Sequence, residues 1–183
     1  GFLRLRGLAA RTYVGYGIPG FRDLLWAGAG YVGAFALIIL AGLALSFFQA
    51  EPETANQAAQ LGIENPEFLL WLVPLSLFVI APAEEFLFRG VVQGRLREAF
   101  SARVAIPIAA AIFALVHYVS LTGAAGDRLV AVAVLFLPSL VFGVTYERTK
   151  NLVVPILVHG FYNATLVLLL YVTIRVLGET PPV

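Results

Sequence analysis

Five stretches of this chain are apolar for about 20 residues or more, the length of helix that crosses a bilayer. They are roughly Leu24–Phe48, Phe68–Gly94, Arg103–Leu121, Leu129–Tyr146 and Leu152–Leu177. Together they take up most of the 183 residues and leave little chain for anything but short connections. Hydrophobic residues make up 60% of the sequence, against roughly 45–50% in a soluble domain, and mean hydropathy is +0.89. The expected fold class is all-α, a polytopic transmembrane helical bundle of about five spans. No linker, repeat or low-complexity tract divides it. Residues 1–23 read as an N-terminal cytoplasmic or interfacial segment, 24–177 as one membrane domain and 178–183 as a tail. The chain opens at Gly1 and has no Met, so an initiator residue is expected upstream, and no signal peptide is legible.

Charge fixes the expected orientation. On an alternating five-span map, nine of the twelve Lys and Arg fall on one side: Arg4, Arg6, Arg11, Arg22, Arg95, Arg97, Arg103, Arg148 and Lys150. Arg128 and Arg175 fall on the other, and Arg89 lies within a span. The positive-inside rule then puts the N-terminus in the cytoplasm and the C-terminus outside, in an integral cell-membrane protein. The outer loop carries Glu51, Glu53, Glu64 and Glu67 and no cation. A net charge of +1 argues against a nucleic-acid partner, and the absence of Cys removes disulfides and thiol chemistry.

Against this apolar background the ionisable residues stand out. Both histidines of the chain, His117 and His159, and its only adjacent carboxylates, Glu84 and Glu85, lie within or at the ends of spans. Such groups cost several kcal/mol at bilayer depth, about 2.5–3.5 on insertion scales, so they mark function by default. Helix geometry puts Glu85 and Arg89 on one face, Phe113 with His117 on another, and His159 with Asn163 on a third. Glu84 points about 100° away from Glu85, free to face a cavity while Glu85 pairs with Arg89. Counted at about 1.5 Å per residue from the basic ends of their spans, Glu84, His117, His159 and Asn163 lie about 10–20 Å deep and can converge. Pro82 is expected to kink or open its helix just where the carboxylates begin. Such a break is tolerated at depth only where protein or a wet cavity surrounds it.

A carboxylate, two imidazoles and an amide at one place suggest hydrolysis. Glu84 would serve as general base on a water. His117 and His159, with Glu84, would either bind a metal that acidifies the water or, with Asn163, donate to a tetrahedral oxyanion. Spacing leaves both open, because the histidines are not on one helix. The cavity is expected to be wet on the cytoplasmic side, flanked by the basic loops Arg95–Arg103 and Arg148–Lys150.

At these residues the chain resembles the CPBP family, the CAAX-protease and bacteriocin-processing (Abi) intramembrane endopeptidases. The E-E-x-x-x-R pattern reads Glu84-Glu85-Phe86-Leu87-Phe88-Arg89, F-x-x-x-H reads Phe113 to His117, and H-x-x-x-N reads His159 to Asn163. The resemblance covers about Phe68 to Leu177 and implies a CAAX-protease-like helical core, opening to the cytoplasm, that cleaves a peptide or protein held at the membrane. It implies Glu84 as the water-activating base, His117, His159 and Asn163 as catalytic partners, and Glu85 and Arg89 as supporting residues beside Phe113. Zinc on His117 and His159 with Glu84, or a metal-free glutamate mechanism, are both open. Two other functions compete: a non-catalytic membrane partner or bacteriocin-immunity protein of the same family, and a small transporter in which Glu84 and the histidines relay protons.

Overall fold

The computed structural model describes residue 7 and residues 13–50, 52–54, 56–176 and 178. The tail 179–183 and, apart from Gly7, the first twelve residues, with Arg4, Arg6 and Arg11, lie outside the described residues, as does Glu51. Five helices are long and apolar enough to cross a membrane: α1 Phe21–Phe47, α3 Pro66–Arg97, α4 Ala102–Ser120, α5 Ala125–Thr149 and α6 Val153–Arg175. A short helix, α2 Gln57–Glu64, lies between the first two, its start capped by the Asn56 side chain accepting from the Ala58 N–H at 2.8 Å. No strand occurs among the described residues, only an isolated bridge between Asn56 and Leu121. All five expected spans are present, each within a few residues of the sequence estimate.

The bundle is held by small residues on facing helices. Gly30 and Ala34 of α1 are its buried positions and meet Thr145, Phe142 and Val158 of α5 and α6. Ala105, Ala109, Ala110 and Ala114 form the buried face of α4. In lipid such residues allow the close backbone approach that drives association. Large apolar side chains such as Val32, Leu40, Phe78, Leu115 and Leu169 instead face outward, where acyl chains would cover them.

Helix α3 departs from the expected kink. It continues through Pro74 and Pro82 without leaving helical backbone angles, but widens into two π-helical turns, Ser76–Ile80 and Phe86–Gln93, on either side of the ordinary turn Ala81–Glu85. Proline removes an N–H and crowds the carbonyl four residues back, and a turn bonded i→i+5 accommodates this without a break. Such turns are frequent at functional sites. Gly160 of α6 packs against this region: a Cβ there would stand 3.3 Å from Leu77 Cα. That contact sets His159, the preceding residue, against the carboxylates.

Candidate active site

Glu84, His117, His159 and Asn163 all line one partly open cavity of about 480 Å³. The two adjacent glutamates take opposite roles, as their angular separation predicts. Glu85 is fully buried and Glu84 is 27% exposed. Glu84 Oε1 lies 3.9 Å from His117 Nε2, and Oε2 lies 3.7 Å from His159 Nε2. Glu84 Oε2 is buried and has no hydrogen-bond partner among the described residues.

Each imidazole is oriented by a bond from its other nitrogen. His117 Nδ1 lies 2.7 Å from the Phe113 carbonyl, which can only accept, so Nδ1 donates there and the ring turns Nε2 to Glu84. His159 Nδ1 lies 2.8 Å from Glu85 Oε1, and Asn163 Nδ2 stands 3.0 Å from His159 Nε2. The ring of His159 stacks on Phe142, centroids 4.7 Å apart and planes at 18°. Phe113 packs against both imidazoles, at 4.4 and 5.7 Å. Its role in the F-x-x-x-H pattern is therefore double: its carbonyl sets one tautomer and its ring walls the site.

Behind this front lies a buried support. Arg89 Nη1 donates to Glu85 Oε1 at 2.9 Å, while Nη2 donates to the carbonyl and hydroxyl oxygens of Ser139 at 2.8 and 2.7 Å. The guanidinium also sits over the faces of Phe113 and Phe142, 4.8 and 5.4 Å from their centroids. Glu85 Oε1 thus holds Arg89 and His159 at once. Sequence reasoning placed Glu85 only as a partner of Arg89 and found Ser139 on no nucleophile turn, without the place beside Arg89 that no spacing signal within an apolar helix reveals. It also missed Tyr162, whose hydroxyl is buried without a hydrogen-bond partner and which lines the cavity. The position between His159 and Asn163 was its only cue.

The cavity runs in an unexpected direction. Its walls come from the halves of the helices that point away from the basic loops: Leu69, Leu72 and Ser76 of α3, Ser120 of α4, Leu166 and Leu170 of α6, with Asn56 and Ala58 at the start of α2. None of Arg95–Arg103 or Arg148–Lys150 lines it. Three of those cations are engaged elsewhere: Arg95 with Glu98, and Arg97 and Lys150 with Glu147 at 3.2 and 2.6 Å. The basic loops expected from sequence to flank the opening do not line this cavity.

The model of the Rce1-like type II CAAX prenyl endopeptidases matches residues 66–165. That span contains all three motifs, with Ser139, Phe142 and Tyr162. The chain belongs to this family. No curated protein matches the chain, and no solved structure does. Membership in the Rce1-like family makes it a membrane protein of the CAAX-protease type and accords with its CPBP resemblance.

A metal was one expectation, and the donor set tests it. Among the described residues no three His, Cys, Asp or Glu side chains are grouped so as to hold a metal ion. His159 Nε2 is already approached by the Asn163 amide, and catalytic zinc sites usually take three protein ligands. The chemistry below is developed without a metal.

Proposed function

We propose that this Rce1-like protein is an intramembrane endopeptidase that hydrolyses a peptide bond of a membrane-associated chain through a water activated by Glu84. One observation carries the reading: Glu84 extends into the cavity with imidazole Nε2 atoms at 3.7 and 3.9 Å and an oxygen that no protein donor satisfies. Those separations exceed a direct hydrogen bond and suit one bridging water. Glu84 and His117 Nε2 present two acceptors, and a water has two hydrogens to give.

In the reaction Glu84 takes a proton as the water oxygen bonds to the scissile carbonyl carbon. The negative charge that develops on the carbonyl oxygen falls to the Asn163 amide as donor. Glu84 then returns the proton to the departing amine as the carbon–nitrogen bond breaks. Glu85, fixed by an Arg89 that Ser139 anchors, holds His159 in register throughout. The test is cleavage of quenched-fluorescent peptides with apolar cores by the purified chain in detergent micelles. Activity that disappears in Glu84→Gln and survives a chelator is the expected result. Equal turnover by Glu84→Gln and the parent chain would remove the peptidase reading, and loss of activity to chelator, restored by zinc, would replace the metal-free mechanism.

A further inference from the structure

His117 stands where α4 stops being an α-helix. The regular turns end at Val116, and His117 opens the tighter 3₁₀ turn His117–Ser120 that closes the element. Helix ends leave their last carbonyls without partners inside the helix, and they fray unless groups outside take those carbonyls up. A side chain that keeps its Nε2 atom 3.9 Å from Glu84 needs such a hold.

Two side chains supply it. The Ser120 hydroxyl donates back to the His117 carbonyl at 2.9 Å. The next carbonyl, that of Tyr118, accepts from two atoms of Arg128 on α5, Nε at 3.2 Å and Nη2 at 2.5 Å. The same guanidinium lies over the Tyr118 ring, 3.7 Å from its centroid. Arg128 therefore grips the turn by backbone and ring at once, which the planar fork of a guanidinium can do and an ammonium cannot.

The position of Arg128 has no other evident cause. It is one of two cations on the acidic side of the five-span map, where the positive-inside rule asks for none. It also lies at the start of α5, the end of a helix whose dipole disfavours a cation. At the end of α4 the sign reverses, since carbonyl oxygens gather there and attract one. The connection between the two helices makes the reach possible. Gly123 turns the chain at φ +100°, where a Cβ would stand 2.3 Å from the Glu53 carbonyl oxygen, and the start of α5 returns beside the turn.

We propose that Arg128 is a positioning residue for His117, clamping the turn His117–Ser120 so that the imidazole keeps Nε2 toward Glu84. Neither Arg128 nor Tyr118 lines the cavity, so the clamp reaches the reaction only through His117. Its consequence for turnover rests on the peptidase reading above; the clamp itself does not.

The chain has only two histidines, so nitrogen resonances of the ¹⁵N-histidine-labelled protein in micelles report the two imidazoles separately, those of His117 being assigned by their loss in His117→Asn. Arg128→Met should shift or broaden the His117 signals and leave those of His159 in place. In the cleavage assay the same variant should lower kcat about 10–100-fold, the cost of a small misplacement of a reacting group, with KM unchanged. Arg128→Lys keeps the charge without the fork and should fall between Arg128→Met and the parent chain; it carries the same readings if Arg128→Met does not fold. Arg175→Met, which removes the other cation of that side, should move neither His117 signals nor kcat. Unmoved His117 signals in a folded Arg128 variant overturn the clamp, and equal disturbance of both histidines makes Arg128 a packing residue only. The spectrum needs no turnover, so displacement of His117 alone in a chain that cleaves no peptide upholds the clamp and removes the peptidase. Peptide cleavage with the same kcat in Arg128→Met and the parent chain keeps the peptidase and overturns the positioning role.

Discussion

Replacing Glu85 by Gln takes one charge from a pair whose side chains are both sealed from solvent, at 0% and 1% exposed and 2.9 Å apart. Removing one partner of a buried pair costs about 3–5 kcal/mol, because the other charge is left uncompensated. Gln keeps the volume and an oxygen for Arg89, and both Ser139 bonds persist, so the lower end applies: about 3 kcal/mol, more than a hundredfold in the unfolding equilibrium. Adding Arg89→Met removes the stranded charge. A buried pair exchanged for apolar groups of similar volume is often neutral, so the double variant should recover more than half of the lost stability. Activity should not return with it, since His159 Nδ1 still faces an amide where it had a carboxylate at 2.8 Å. The measurement is a four-member cycle of reversible unfolding in mixed micelles, with peptide cleavage assayed on the same preparations. Additive losses, leaving the double variant less stable than either single one, would refute charge compensation as the reason for the pair. Recovery of turnover along with stability would refute the role of Glu85 in holding His159.

Glu84→Gln should lower turnover about 10²–10⁴-fold, the usual worth of a positioned acid–base group, with the thermal midpoint unchanged because its Oε2 atom bonds no protein group; a matching fall in midpoint would make Glu84 structural. Tyr162→Phe deletes a buried hydroxyl that lacks a partner and should leave stability equal or higher; an activity loss alongside would assign that hydroxyl to the substrate, and a large stability loss would show that it has a partner in the folded protein. Gly160→Val drives a branched side chain against Leu77 and should cost about 1–3 kcal/mol, read as a lower midpoint; an unchanged midpoint would mean that α3 and α6 are free to part.

The spans and the polar site were legible because lipid leaves so few options. Long apolar runs must be helices, and ionisable groups within them must meet. The Glu84 and Glu85 division also followed from one residue of helical rotation. Ser139 and Gln93 did not show, because a serine or glutamine in a helix has no periodicity of its own and gains its role only when Arg89 or Gly143 arrives from another helix. The direction of the cavity was hidden for a related reason. Depth counted along separate helices places Glu84 and the histidines at one level, but which side of that level the cavity occupies depends on how Thr145, Leu152 and Val154 pack between helices, and their own spacing does not record it.

The wide turn Phe86–Gln93 makes the register of α3 a matter of residue number as well as residue type. A π turn accommodates one residue beyond what an α-helix would use for the same rise, so Glu84 and Glu85 before it and Gln93 at its end are in phase only while that surplus is kept. Deleting a single residue there outside the motif, such as the half-buried Val92, would let the turn rewind and swing everything beyond it by about 100°, carrying Gln93 off the Gly143 carbonyl it donates to at 3.0 Å. Length in this one turn is therefore under the same constraint as the charged residues themselves, and a chain that kept every motif letter but lost one spacer would lose that contact.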